Sequence, residues 1–116
     1  MEDLTKDKRQ NKRFKVALED LIGRLDDDHL VDIIDLSVGG IAIRSGRRLV
    51  VGMEYTVRLH ARKHGLEVQG KVVWSRIVEN KESPLGQQCP VYVSAMRLRE
   101  GSEDRVTDFI CDALLE

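Results

Sequence analysis

Apolar side chains in this chain recur at every second residue for most of its length, and only near the C-terminus does the spacing change to every third or fourth. Phe14, Val16 and Leu18 alternate with Lys15, Ala17 and Glu19. Tyr55, Val57 and Leu59 alternate with Thr56, Arg58 and His60, and Leu66, Val68, Gly70, Val72 and Trp74 with Glu67, Gln69, Lys71 and Val73. A period of two is what a strand needs to bury one face and wet the other. A chain built from such segments must stack two sheets or close one sheet on itself.

Turn signals separate the segments. Gly23 and Asp26-Asp27-Asp28 end the first alternation, and residues 29–36, rich in Val, Ile and Leu, run into Ser37-Val38-Gly39-Gly40. Two consecutive glycines there predict positive φ or a close backbone approach. Residues 41–44 read as a short return strand, Ser45-Gly46 and Gly52 bracket a connection, and Lys63-His64-Gly65 predicts a turn. The polar stretch 80–88, with Ser83-Pro84 and Gly86, predicts a hairpin loop before a last strand over 91–98. The period then switches. Ser102 is placed as N-cap, Glu103 and Asp104 suit the positive end of a helix dipole, and Val106, Phe109, Ile110, Ala113 and Leu114 form one apolar stripe. Five or six short strands followed by one helix predict a small antiparallel barrel capped by that helix.

At 116 residues the chain fits a single domain that buries roughly two-thirds of its unfolded surface. No apolar run is long enough to span a membrane and the first residues are too charged for a signal peptide, so a cytoplasmic protein is expected. Cys89 and Cys111 match no disulfide or CxxC pattern and are expected as thiols.

The net charge of −1 conceals an uneven distribution. Residues 1–15 carry Lys6, Lys8, Arg9, Lys12, Arg13 and Lys15 against Glu2, Asp3 and Asp7, a net of +3, which leaves −4 on the rest. A basic arm on an acidic body suits an anionic partner for the arm and disfavours broad nucleic-acid binding by the body. Sequence-tolerant strand binding also needs exposed aromatic platforms, and Phe14, Tyr55, Trp74, Tyr92 and Phe109 are few and mostly at inward-reading positions.

Catalytic patterns are missing from the sequence. His29, His60 and His64 have no metal-ligand spacing, and there is no HExxH, P-loop, GxGxxG or nucleophile-elbow serine. We expect no enzyme, metal or cofactor. Two constellations remain: Arg9-Gln10-Asn11-Lys12-Arg13, and Asp35-Leu36-Ser37-Val38-Gly39-Gly40. Arginine's planar fork grips two phosphate oxygens or the O6/N7 edge of guanine. A carboxylate at Asp35 accepts from guanine N1 and N2, Ser37 offers a hydroxyl, and Gly40 removes the Cβ that would hold a ligand off the backbone. Separately each is weak, since an Asp-x-Ser before glycines commonly serves only its own turn amides.

An RxxxR followed by [D/N]xSxxG resembles the PilZ family of bacterial cyclic di-GMP receptors. The resemblance continues in Gly39-Gly40-Ile41-Ala42-Ile43, Val72-Val73-Trp74 and Tyr92-Val93-Ser94-Ala95-Met96-Arg97-Leu98. Ala95 and Leu98 depart from the family's usual Gly and Phe, and Glu19-Asp20-Leu21 replaces a stretch that often holds proline. The resemblance implies an all-β, six-stranded antiparallel barrel over residues 14–116, capped by a C-terminal helix, with a flexible basic arm at 1–13. It implies cyclic di-GMP as ligand, not cofactor, held by Arg9, Arg13, Asp35, Ser37 and Gly40. Gly39, Lys8, which falls where the family varies, and Trp74, near the sheet face, are expected helpers. A downstream protein partner is expected, with the chain a monomer or homodimer and no nucleic acid bound. The alternatives are a PilZ-like interaction adaptor that binds no nucleotide and, further off, a small nucleic-acid-binding barrel.

Overall fold

The computed structural model describes residue 18 and residues 20–26 and 29–115. These form six strands: β1 (Ile22–Leu25), β2 (His29–Leu36), β3 (Gly40–Ser45), β4 (Glu54–Ala61), β5 (His64–Glu82) and β6 (Gln88–Leu98). Every neighbouring pair is antiparallel, and the order β1-β2-β3-β6-β5-β4 closes on itself through β1 and β4. Closure removes the free edges that an open sheet of this size would carry.

The predicted alternations supply the interior. Val57, Leu59, Val68 and Val72 are buried with Leu25, Ile43 and Met96 in one cluster. Burying an aliphatic side chain of this size contributes about 1.5–3 kcal/mol, so the row of inward positions fixes which face of each strand is inside. Helix α1 (Glu103–Phe109) continues into a π-helical turn, Ile110–Leu114, rather than the single regular helix expected. Its stripe of Val106, Phe109, Ile110, Ala113 and Leu114 joins the same buried cluster, so the helix caps the barrel. Ser102 occupies the cap position without capping: its hydroxyl donates back to the Arg99 carbonyl at 2.7 Å. Glu103 Oε1 accepts from the amide of Gly101, just ahead of the cap position, at 2.9 Å.

Three boundaries differ from the sequence reading. Gly23 lies inside β1, paired with Val31 and Leu59, not at a strand end. A Cβ there would stand 2.6 Å from Ile33 Cδ1, so the residue is glycine because the interior leaves no space. The turn before β5 is tighter than expected, with Arg62 at φ 56° and His64 already in the strand. The expected 80–88 loop shrinks to 83–87, where Ser83 Oγ accepts from the Leu85 and Gln87 amides at 3.3 and 3.0 Å. The strand read at 14–19 falls outside the described residues except for Leu18, which is half-buried against the core. No helix among the described residues is long and apolar enough to cross a membrane.

Candidate ligand-binding surface

Strict alternation along β2 puts Val31, Ile33 and then Asp35 inside; along β5 it puts Val68, Gly70, Val72 and then Trp74 inside. Neither polar-tipped residue ends there. The register of β2 against β3 slips between Ile33 and Asp35, and that of β5 against β6 between Val72 and Trp74. Each slip is a β-bulge that inserts one extra residue, Ile34 or Val73, and re-aims the side chains beyond it. Asp35 and Trp74 consequently face outward.

The pairing joins them. Asp35 opposes Ala42, Ala42 opposes Ala95, and Ala95 opposes Trp74, a single row across β2, β3, β6 and β5. Adjacent strands are about 4.8 Å apart, so the backbones at the two ends of the row are about 14 Å apart. The two methyl-sized side chains between them leave a shallow floor.

Charged rows flank it on the same face. On one side Asp32, Arg44, Val93 and Arg76 oppose one another in turn; on the other, Gly40, Arg97 and Lys71 do so. In these three rows four cations, Arg44, Arg76, Arg97 and Lys71, stand against two carboxylates, Asp32 and Asp35, so this patch of the wall is locally positive although the body carries excess acid. The Arg76 guanidinium lies 4.2 Å from the centroid of the Trp74 ring, a cation–π contact that holds the indole at the end of the floor. A surface groove bordered by Asp32 and Arg44 continues from the first charged row toward Lys81 and Val91.

The turn between β2 and β3 brings the motif together. The Ser37 amide donates to the Gly40 carbonyl at 2.9 Å and the Ser37 hydroxyl lies 3.4 Å from the same oxygen. Neither Gly39 nor Gly40 has positive φ. The close approach applies to Gly40 alone, where a Cβ would meet the Met96 carbonyl at 3.2 Å, whereas one at Gly39 would meet nothing within 4 Å. Gly39 contributes its carbonyl, which accepts from the Leu98 amide at 3.0 Å and ties the turn to β6. The Asp35 carboxylate makes no hydrogen bond to another described residue, so the turn amides do not consume it.

Asp35, Ser37, Gly39, Gly40 and Trp74 thus share one face; Lys8, Arg9 and Arg13 lie outside the described residues. The sequence reading missed Arg44, Lys71, Arg76 and Arg97. A signal existed, since Arg44, Arg76 and Arg97 each follow Ala42, Trp74 or Ala95 by two residues on an outward phase, but only the β3–β6 pairing makes them neighbours. No group of three His, Cys, Asp or Glu suited to a metal ion occurs among the described residues.

A closed six-stranded antiparallel barrel with a capping helix, carrying this turn, is the architecture of a PilZ domain. The PilZ domain family model matches residues 7–110, and the chain belongs to that family. Among solved structures it is similar to the PilZ domain with c-di-GMP of YcgR from Escherichia coli, with a TM-score of 0.61 and 13% identity over 92% of each chain. No curated protein sequence matches.

Proposed function

We propose that this PilZ chain is a receptor for cyclic di-GMP. The observation that carries the reading is the outward row from Asp35 to Trp74, with an alanine floor and cations on both sides. A guanine laid on Ala42 and Ala95 meets a carboxylate acceptor at one end and an indole at the other. The phosphates fall among Arg44, Arg76, Arg97 and Lys71. The similar fold of a PilZ domain solved with c-di-GMP supports the same ligand.

In this reading the chain divides into an arm, 1–13, and a barrel domain, 14–116. Arg9 and Arg13 take phosphate oxygens and guanine edges, Lys8 adds charge, Asp35 and Ser37 hold a base, and Gly39 and Gly40 keep the turn flat against β6. Ordering an arm costs about 1–2 kcal/mol per residue in backbone entropy. Charge-assisted hydrogen bonds of about 1.5–3 kcal/mol each offset that only if several form together. The arm therefore closes when the dianionic nucleotide is present, and the closed surface is what a downstream protein reads. Calorimetric titration with cyclic di-GMP tests the proposal: binding that Arg13→Ala weakens at least tenfold is expected, with GMP much weaker. Absence of binding at modest salt leaves the chain as an adaptor without a nucleotide.

A further inference from the structure

The connection from β3 to β4 displays more apolar surface than its length requires. Val50, Val51 and Met53 are 59%, 59% and 54% exposed, and Val73, the extra residue of the bulge before Trp74, is 44% exposed. The loop is nonetheless held firmly. Leu49 is buried in the core, the Val50 amide donates to Tyr55 Oη at 3.1 Å, and the Met53 amide donates to the Val50 carbonyl at 3.1 Å. Gly52, at φ 91°, donates to the Val72 carbonyl at 2.8 Å, and the Val72 amide donates to the Met53 carbonyl at 3.0 Å. These last bonds lay the loop flush along β5, so its apolar residues adjoin Val73.

Exposed valines and a methionine on a braced loop add nothing to barrel stability, and contiguous apolar surface of this kind marks contact sites. Bracing means that little conformational entropy is lost when a partner arrives. The rim carries a sign. Arg48 precedes the patch, Lys71 opposes Glu54 beside Met53, and Arg76 lies over Trp74 next to Val73, all exposed, while Glu54 is paired with Arg99 at 2.6 Å.

We propose that residues 50–53 with Val73 form a docking surface for a partner protein that presents apolar side chains flanked by Asp or Glu. A lipid bilayer fits less well, because a loop tied to β5 by two backbone bonds cannot project into acyl chains. The surface stands on this loop and the stretch of β5 it lies along; only its service to signalling rests on the receptor reading, through Trp74, which adjoins both Val73 and the nucleotide row.

The test uses two synthetic amphipathic helical peptides that share a Leu/Phe face, one flanked by Glu and one by Lys, added to the isotope-labelled full chain. The Glu peptide is expected to shift the amides of Val50, Val51, Met53 and Val73. It should bind at least tenfold tighter than the Lys peptide and weaken at least tenfold with Val51→Glu or, independently, Met53→Ser. Failure of the Glu peptide to perturb these amides, or equal binding of both peptides, overturns the proposal. So does Val51-dependent binding to phosphatidylserine vesicles, or dimerisation of the parent that Val51→Glu abolishes. Cyclic di-GMP titration of Val51→Glu separates the two readings, since loss of docking should leave nucleotide affinity unchanged. A parent that takes the peptide but not the nucleotide keeps the docking surface and loses the receptor.

Discussion

Asp35 and Trp74 stand at opposite ends of one row on the outside of the barrel, and each reaches that face through a bulge, at Ile34 and Val73 respectively. An extra residue in each of two strands converts positions that alternation assigns to the core into the two ends of an outward row. Bulges recur beside functional sites for this reason: they re-aim one side chain without rebuilding the strand.

Trp74 is the chain's one tryptophan, and it lies under Arg76 at the end of the floor. Its emission is therefore a direct reporter of the row. Saturating cyclic di-GMP should change the intensity or position of that emission, and Asp35→Ala should move the midpoint to at least tenfold higher nucleotide, as loss of a charge-assisted hydrogen bond requires. Calorimetric saturation with an unchanged fluorescence spectrum would remove Trp74 from the site.

Arg44 and Arg97 flank the alanine floor from opposite rows and are exposed. Replacing either with Ala should weaken nucleotide binding several-fold while leaving the melting temperature nearly unchanged, because exposed charges contribute little to stability. The loss should shrink as salt rises, since screening weakens the parent's long-range attraction as well. Titrations of parent and variants at low and high salt check the sign; a variant effect independent of salt argues for a structural role instead.

The barrel was legible because inward alternation in β4 and β5 depends only on residues close in sequence. At the motif, the close backbone approach at Gly40 was also legible. The row itself was not, since it depends on β3 pairing with β6, strands separated by about half the chain. Trp74 shows the limit most plainly: reading 66–74 as unbroken alternation places it inside, and nothing local in Val72-Val73-Trp74 announces the slip. Gly23 failed for a related reason. Glycine is the usual mark of a turn, whereas here it answers to the side chain of Ile33, ten residues away.

Gly39 and Gly40 look equivalent in sequence and differ in surroundings. A methyl at 40 presses on the Met96 backbone carbonyl at 3.2 Å, where relief means shifting β6; a methyl at 39 points into open space. Gly40→Ala should lower unfolding stability by about 1 kcal/mol and weaken nucleotide binding, since β3 and β6 together carry the floor. Gly39→Ala should stay within about 0.5 kcal/mol of the parent. Urea unfolding with parallel titrations measures both, and equal effects at the two positions would contradict the close-approach argument.

Gly23 offers a sharper test of packing, because its obstruction is a side chain that can be shortened. Ile33 Cδ1 would lie 2.6 Å from the new methyl and Cγ1 2.9 Å, with Val31 Cγ2 at 3.2 Å. Gly23→Ala should destabilise the barrel by about 1–3 kcal/mol, the usual range for overfilling a close-packed interior. Ile33→Val removes Cδ1 and alone should cost about 0.5–1.5 kcal/mol. Combined, the two should cost clearly less than the sum of the separate effects, as expected of residues in contact. Additive losses in denaturant unfolding would mean that Gly23 is required by its backbone and not by the space that Ile33 fills.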